Sequence, residues 1–166
     1  MMQGPTPYTI RPMQPGDIPT VVAIDRLSFP NPWPASAYLY EIRKKKSSYY
    51  YVLLKPETDE DASSEQGWYR WLHRAILAEQ SPVIGYVGFR IRDYPLRAHI
   101  STIAIHPNWR GKGLGELMLI TALERALELG LDIISLEVRA SNRVAQRMYR
   151  KYDFQFTDVK RGYYRD

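Results

Sequence analysis

The stretch HPNWRGKGLGELML, residues 106–119, decides the fold. Between Arg110 and Gly115 it places three glycines and two bases in six positions. A helical pattern starts at once behind them. Met118, Leu119, Ala122, Leu123, Ala126 and Leu127 form its apolar face, and Glu116, Glu124 and Glu128 lie opposite. Ahead of the glycines, AHISTIAIHP reads as a strand. A strand, a glycine loop and a helix in that order leave the first N–H groups of the helix unpaired at the turn. Those donors carry partial positive charge. Gly111, Gly113 and Gly115 allow close approach of main chain, and Arg110 and Lys112 add full charge. The turn therefore suits a phosphate or pyrophosphate. The alternative is a glycine-rich turn with no ligand. Two common phosphate loops do not fit. The Lys-Ser or Lys-Thr pair of the P-loop is missing, and the last glycine of G-x-G-x-x-G would fall on Glu116 or Met118.

Working outward, YTIRPM reads as a short strand, and PGDIPTVVAIDRLSF as a helix with Asp17 at its N-cap. PNPWP breaks that helix, ASAYLYEIRKKK resumes one, and SSYYYVLL is a strand. KPETDEDASSEQG is an acidic loop, and WYRWLHRAILAEQ has helical spacing, so residues of about 55–80 form an insertion. SPVIGYVGFRIRD is a strand that turns at Pro95 into AHISTIAIHP. Gly130 stops the long helix, LDIISLEVRA is a strand, Ser141 caps a helix through NRVAQRMYRKY, and FQFTDVK is a last strand. The whole chain of 166 residues reads as one domain.

Composition sets outer limits. The chain has no cysteine, which excludes disulfides and thiolate chemistry, and its three histidines lie far apart, so no metal site is expected. A reducing cytoplasm is the simplest home. The start, MMQGPTPYTIRP, lacks the apolar core of a signal peptide, and no run is long enough to span a membrane. Net charge is +5, with eight bases against three acids from Arg139 onward. On charge alone this is a solvated face, with nucleic acid or an anionic cofactor as alternatives.

The segment Arg110-Gly111-Lys112-Gly113-Leu114-Gly115 resembles the R/Q-x-x-G-x-G/A signature of the GNAT acyltransferases. The resemblance runs from TIRPMQPGDI to RGYY. It is strongest to the ribosomal-protein-alanine N-acetyltransferases, through FPNPWP, LEVRASN, MYRKYDF and KRGYY. It implies an α/β GNAT fold, with a mixed, mostly antiparallel, splayed sheet flanked by helices. It implies acetyl-CoA as donor, with the pyrophosphate on the main chain of Arg110, Gly111, Lys112, Gly113, Leu114 and Gly115. The pantetheine arm would lie along Ile103, Ala104 and Ile105, and Asn142 and Tyr149 would complete the cofactor site. The implied reaction is Nα-acetylation of a protein N-terminus, typically a ribosomal protein starting with alanine. Acetylation of a lysine or a small amine is the alternative. A CoA-binding or nucleic-acid-binding module without catalysis is the non-enzymatic one. Nucleic acid and membrane are not expected as partners, and monomer and homodimer stay open.

Acetyl transfer to an amine needs a proton acceptor, oxyanion donors and a proton for the leaving thiolate. Glu137 is the candidate base, because a carboxylate in the apolar strand DIISLEVRA calls for a reason, and partial burial would raise its pKa. Pairing with Arg139 is the structural alternative. Tyr149 is the candidate acid, at the family's offset from Asn142; by spacing alone it is a core aromatic. Trp33, Tyr163 and Tyr164 are the candidate acceptor-binding residues, with simple helix packing as the other reading of Trp33. Asp153 stands where the family commonly has glycine, and family members usually continue into a further strand beyond KRGYY.

Overall fold

The computed structural model of the chain describes residues 7–43, 46–56, 81–93 and 96–160. Its elements run β1 (Thr9–Pro12), α1 (Ile18–Ser28), α2 (Ala35–Arg43), β2 (Ser48–Leu54), β3 (Val83–Asp93), β4 (Leu96–Ile105), α3 (Leu114–Glu128), β5 (Ile134–Leu136) and α4 (Arg143–Arg150). The sheet order is β1-β2-β3-β4-β5. The first three pairings are antiparallel and β4–β5 is parallel. This is the mixed sheet with flanking helices that the GNAT resemblance implies.

Two apolar clusters sandwich the sheet. On one side Val21 and Ile24 of α1 and Tyr38 of α2 pack on Tyr50, Val52 and Tyr86. On the other, Met118, Leu119, Ala122 and Ala126 of α3 pack on Leu53, Val87, Phe89 and Ile100. A strand covered on both faces reads as a continuous apolar run, which is how VIGYVGF in β3 reads. Gly88 serves a close approach there. A Cβ at that position would come within 2.1 Å of the Tyr50 ring, which lies across it.

The splay sits between β4 and β5. β5 pairs with β4 only from Ala98 to Ile100, whereas β4 stays paired with β3 through Ile105. The register passes from Gly88↔Thr102 to Phe89↔Ile100, so Ser101 is an extra residue on β4. Such a bulge bends the strand and increases its twist. It falls where β5 departs.

Several local expectations are corrected. Asp17 occupies the cap position of α1 but makes no cap bond to it. Its carboxylate takes the Gln14 N–H at 2.8 Å and both arms of Arg11, a bidentate pair stronger than a cap. Asn142, not Ser141, caps α4, with its Oδ1 accepting the Ala145 N–H at 3.1 Å. Leu127 is exposed rather than part of the buried face of α3. The strand expected over LDIISLEVRA shrinks to Ile134–Leu136 because β4 diverges from it. FQFTDVK is not a strand, and its Phe156 and Val159 are exposed. The helix expected in WYRWLHRAILAEQ, most of the insertion, and the turn at Pro95 lie outside the described residues. Among the described residues no helix is long and apolar enough to cross a membrane.

Helices α3 and α4 end in the same motif. After α3, Leu131 N–H reaches Ala126 O, Gly130 N–H reaches Leu127 O, and Gly130 has φ +75°. After α4, Phe154 N–H reaches Tyr149 O, Asp153 N–H reaches Arg150 O, and Asp153 has φ +59°. This pattern wants glycine at its left-handed residue. Asp153→Gly should therefore raise stability by about 0.5–1 kcal/mol and Tm by about 2 °C. A thermal melt followed by circular dichroism checks it, and a lower Tm would contradict it.

Candidate active site

A cavity of about 780 Å³ opens where β4 and β5 part. Ile100 to Ile103 of β4 line one wall, and Leu136 to Arg139, Asn142 and Tyr149 line the other. Asp25 to Trp33 close a third side in part, and Arg90 and Arg92 reach in from β3. From Ser101 onward the side of β4 facing this cavity has no strand partner among the described residues. The main chain there can pair with an extended ligand as with an added strand.

Asp25 is the most buried carboxylate among the described residues. It is 2% exposed and sits on the apolar face of α1. Its Oδ2 accepts the Tyr38 hydroxyl at 2.7 Å and the Trp33 N–H at 3.1 Å, and its Oδ1 accepts the Tyr86 hydroxyl. Burial pushes its pKa up, against the pull of Tyr38 and the Trp33 amide. Burial and then the Asp25 charge push the Tyr38 phenol upward too. The network ties α1, α2 and β3 together and fixes Trp33 at the cavity wall, where it also packs on Tyr38 at 5.5 Å.

Glu137 follows β5 directly and faces the same cavity. Its Oε2 lies 2.8 Å from His99 Nε2, and its Oε1 pairs with Lys160 Nζ. The alternative pairing with Arg139 gives way to these two. Burial alone would raise the Glu137 pKa, but the Lys160 ammonium, His99 and Arg92 outweigh it and hold the carboxyl below its usual range. The expectation of a raised pKa is thereby corrected. The carboxylate is half-buried, but a cation stands against it. His99 is buried, and desolvation carries its pKa down to about 4 despite the pull of Glu137. The neutral ring donates from Nε2 to Glu137 and leaves Nδ1 to accept the Ser135 hydroxyl, 3.0 Å away.

The glycine loop stands at the end of β4, outside the cavity lining. Gly111 and Gly113 both have φ +75°, and a Cβ at either would touch nothing within 4 Å. Their need is conformational, and the surrounding space is open. Gly113 leads into α3, while Leu114 is buried beneath it. Arg110 does not aim its charge at the loop. Its Nε donates to Ile105 O at 2.9 Å and its guanidinium to Ser28 Oγ at 2.8 Å, clamping the loop to β4 and α1. Lys112 lies 5.6 Å over the Trp109 ring.

The structure thus brings Glu137, Tyr149, Ile103, Asn142 and Trp33 to one cavity. It places Ala104, Ile105 and the 110–115 loop along the continuation of β4. Tyr149 is buried against Phe154. Tyr163 and Tyr164 lie outside the described residues. Sequence reasoning missed Asp25, His99, Lys160, Arg90 and Arg92. Asp25 carried a usable signal: it shares the apolar face of Val21 and Val22 in α1, at helical spacing.

Residues 19–154 match the acetyltransferase (GNAT) family. The chain belongs to that family. A Bacillus subtilis protein named "Putative [ribosomal protein bS18]-alanine N-acetyltransferase" is 31% identical to this GNAT chain over 161 residues, 97% of this chain and 89% of that one. The crystal structure of the ribosomal-protein-S18-alanine N-acetyltransferase from Escherichia coli is similar in fold, with TM-score 0.70 and 20% identity over 95% of this chain and 83% of that one. AAC(6')-Iy, solved in complex with the bisubstrate analogue CoA-S-monomethyl-acetylneamine, shares the fold at TM-score 0.67 and 14% identity, covering 96% of this chain and 98% of that one. The chain is an acetyltransferase, and its sheet is the GNAT sheet.

The depressed His99 sets a pH dependence. Unfolded, His99 would take a proton as pH falls through about 6.5; folded, it does so only near 4. Protons then favour the unfolded chain, so stability should fall as pH drops through that window. His99→Gln should flatten this part of a Tm-against-pH curve. An unchanged curve would contradict the assignment.

Proposed function

We propose that this chain is an Nα-acetyltransferase that transfers acetyl from acetyl-CoA directly to a protein N-terminus, with an alanine-starting ribosomal protein as the typical target. The similarity to the Bacillus subtilis relative over 97% of the chain supports this reading. The observation that carries it is the cavity itself. Glu137 and Tyr149 line it together with Ile103 of β4, beyond the point where the described β5 pairing ends. Ile103, Ala104 and Ile105 would hold the pantetheine arm through main chain. The open loop at Gly111 and Gly113 and the first turn of α3 would hold the diphosphate. Asn142 caps α4 through Oδ1 alone, so its amide N–H groups serve the cofactor.

The acceptor amine attacks the thioester carbon. A C–N bond forms, and the oxygen takes negative charge against a backbone N–H near Ile103 to Ile105. The C–S bond then breaks, and Tyr149 gives its proton to the departing sulfur. Glu137 takes the amine's proton through a water. It is a weaker base than burial alone would make it, but that suffices. An α-amine has pKa near 8, so roughly a tenth of it is neutral at pH 7, and its nitrogen becomes strongly acidic once the C–N bond forms. His99, held by Ser135, orients the Glu137 carboxylate. No covalent acyl-enzyme is involved. Trp33 and the tyrosines Tyr163 and Tyr164 would flank the acceptor peptide.

Glu137→Gln should lower kcat by about 10²–10⁴-fold while leaving acetyl-CoA affinity in place, measured by thiol release with a peptide panel. Equal rates for both proteins would remove Glu137 from this role. Between pH 6 and 9, kcat/KM should follow the acceptor amine, with an inflection near 8. An inflection near 6 to 7 that disappears in Glu137→Gln would contradict the depressed carboxyl. In a competition, an alanine-starting peptide should outrun a polyamine or an aminoglycoside; the reverse would favour the small-amine reading. Gly113→Ala, which strains a left-handed residue, should weaken acetyl-CoA binding by about tenfold in calorimetry; unchanged binding would remove the loop from the site.

A further inference from the structure

One buried carboxylate at the cavity takes no part in the transfer described above. Asp25 is 2% exposed, and three donors converge on it: the Tyr38 hydroxyl at 2.7 Å, the Trp33 N–H at 3.1 Å and the Tyr86 hydroxyl. A carboxylate with donors on both oxygens only accepts. The Tyr38 hydroxyl also lies 3.1 Å from the Tyr86 hydroxyl, but its one proton goes to the nearer, charged oxygen. The Tyr86 hydroxyl gives its one proton to Asp25 as well, and so has only lone pairs for its other neighbours.

The next neighbour is Thr102, whose Oγ1 is 3.3 Å from the Tyr86 oxygen. Taken alone, either hydroxyl could donate; with the Tyr86 proton on Asp25, Thr102 is the donor. The Thr102 hydroxyl also pulls the Tyr38 pKa downward, as a donor to a phenolate does. The row therefore has one direction, from Thr102 through Tyr86 to Asp25. Tyr86 is fully enclosed, whereas Thr102 is half-buried and lines the cavity. Thr102 stands between the bulge at Ser101 and Ile103, on the wall that faces Glu137. Its proton is directed inward, so what it offers the cavity is an acceptor.

Resting on the Nα-acetyltransferase reading, we propose that the Thr102 hydroxyl accepts an N–H of the attacking amine and selects a primary amine, with Tyr86 and Asp25 as positioning residues that fix its direction. A neutral primary amine has two N–H groups and one lone pair. The lone pair forms the C–N bond, and one proton passes through water to Glu137. The other N–H stays on nitrogen, donates to Thr102 and ends as the amide N–H. This contact also turns the lone pair toward the thioester carbon. An N-methylated amine has a single N–H, which Glu137 takes, and Thr102 is left without its donor.

The test compares kcat/KM for an alanine-starting peptide and the same peptide starting with N-methylalanine. Wild type, Thr102→Val, Thr102→Ser and Tyr86→Phe are assayed, and each variant is checked by melting and by acetyl-CoA affinity. Wild type should favour the primary amine by about tenfold or more. Thr102→Val keeps the branched shape but has no hydroxyl. It should slow the primary amine about tenfold and the N-methyl peptide far less, so that the ratio closes. Thr102→Ser should bring the ratio back. Tyr86→Phe lets the Thr102 proton turn toward the cavity and should narrow the ratio too; if that variant does not fold, Thr102→Val and Thr102→Ser decide. Equal slowing of both peptides in Thr102→Val would mark a packing role and overturn the inference. A ratio that Thr102→Val leaves in place, or that Thr102→Ser does not restore, would overturn it as well. Each of these results leaves the N-terminal reading standing. If neither peptide is acetylated while a polyamine is, the N-terminal reading itself fails, and the inference falls with it.

Discussion

β4 keeps β3 as a neighbour through Ile105 but loses β5 after Ile100. A strand inside a sheet satisfies its N–H and C=O groups on both sides, and groups left open must find water or a ligand. The loss of β5 therefore leaves main-chain groups of β4 from Ser101 onward with no strand partner among the described residues, in the middle of a sheet rather than at its edge; of these, Ile105 O is taken by Arg110. The bulge at Ser101 bends β4 at that point, and the cavity fills the gap. The glycine turn and α3 follow directly along β4, and the residues after β5 bring Glu137 and, through α4, Tyr149 to the opposite wall. The site is a consequence of one broken pairing.

Two carboxylates in that gap show how environment separates roles. Asp25 is surrounded by neutral donors, and burial raises its pKa. It holds Tyr38, Tyr86 and the Trp33 main chain, and so joins three elements. Glu137 has a lysine and a histidine against it, and its pKa is lowered. It remains ionised at the cavity wall. Removing one partner of such a buried set leaves the other unpaired, which is costlier than the bond itself is worth.

The elements with strong local signals were legible in the sequence. The glycine loop, the long apolar face of α3 and the stop at Gly130 depend on neighbours within one turn, and each stands where its residues place it, Leu127 excepted. The left-handed demand on Asp153 was legible as a departure from glycine, and its φ of +59° meets that demand. The paired length of β5 was not legible, because it depends on a bulge in another strand. FQFTDVK alternates like a strand, but none of the described strands pairs with it and it is irregular. Glu137 was legible as a carboxylate out of place. Its partners were not, since His99 and Lys160 lie 38 and 23 residues away along the chain and are brought together only by the fold. The same holds for Arg92 and Arg97, whose opposition follows from the hairpin register.

The central claim is that the open side of β4 and the first turn of α3 together receive the donor substrate. Amide-resolved NMR on the intact chain, titrated with CoA, reads this directly. The account predicts that the largest shifts fall on the N–H groups of Ile103 to Ile105 and of Gly111 to Glu116, saturating together at one affinity. Saturable binding that leaves those amides unmoved and shifts others would contradict it.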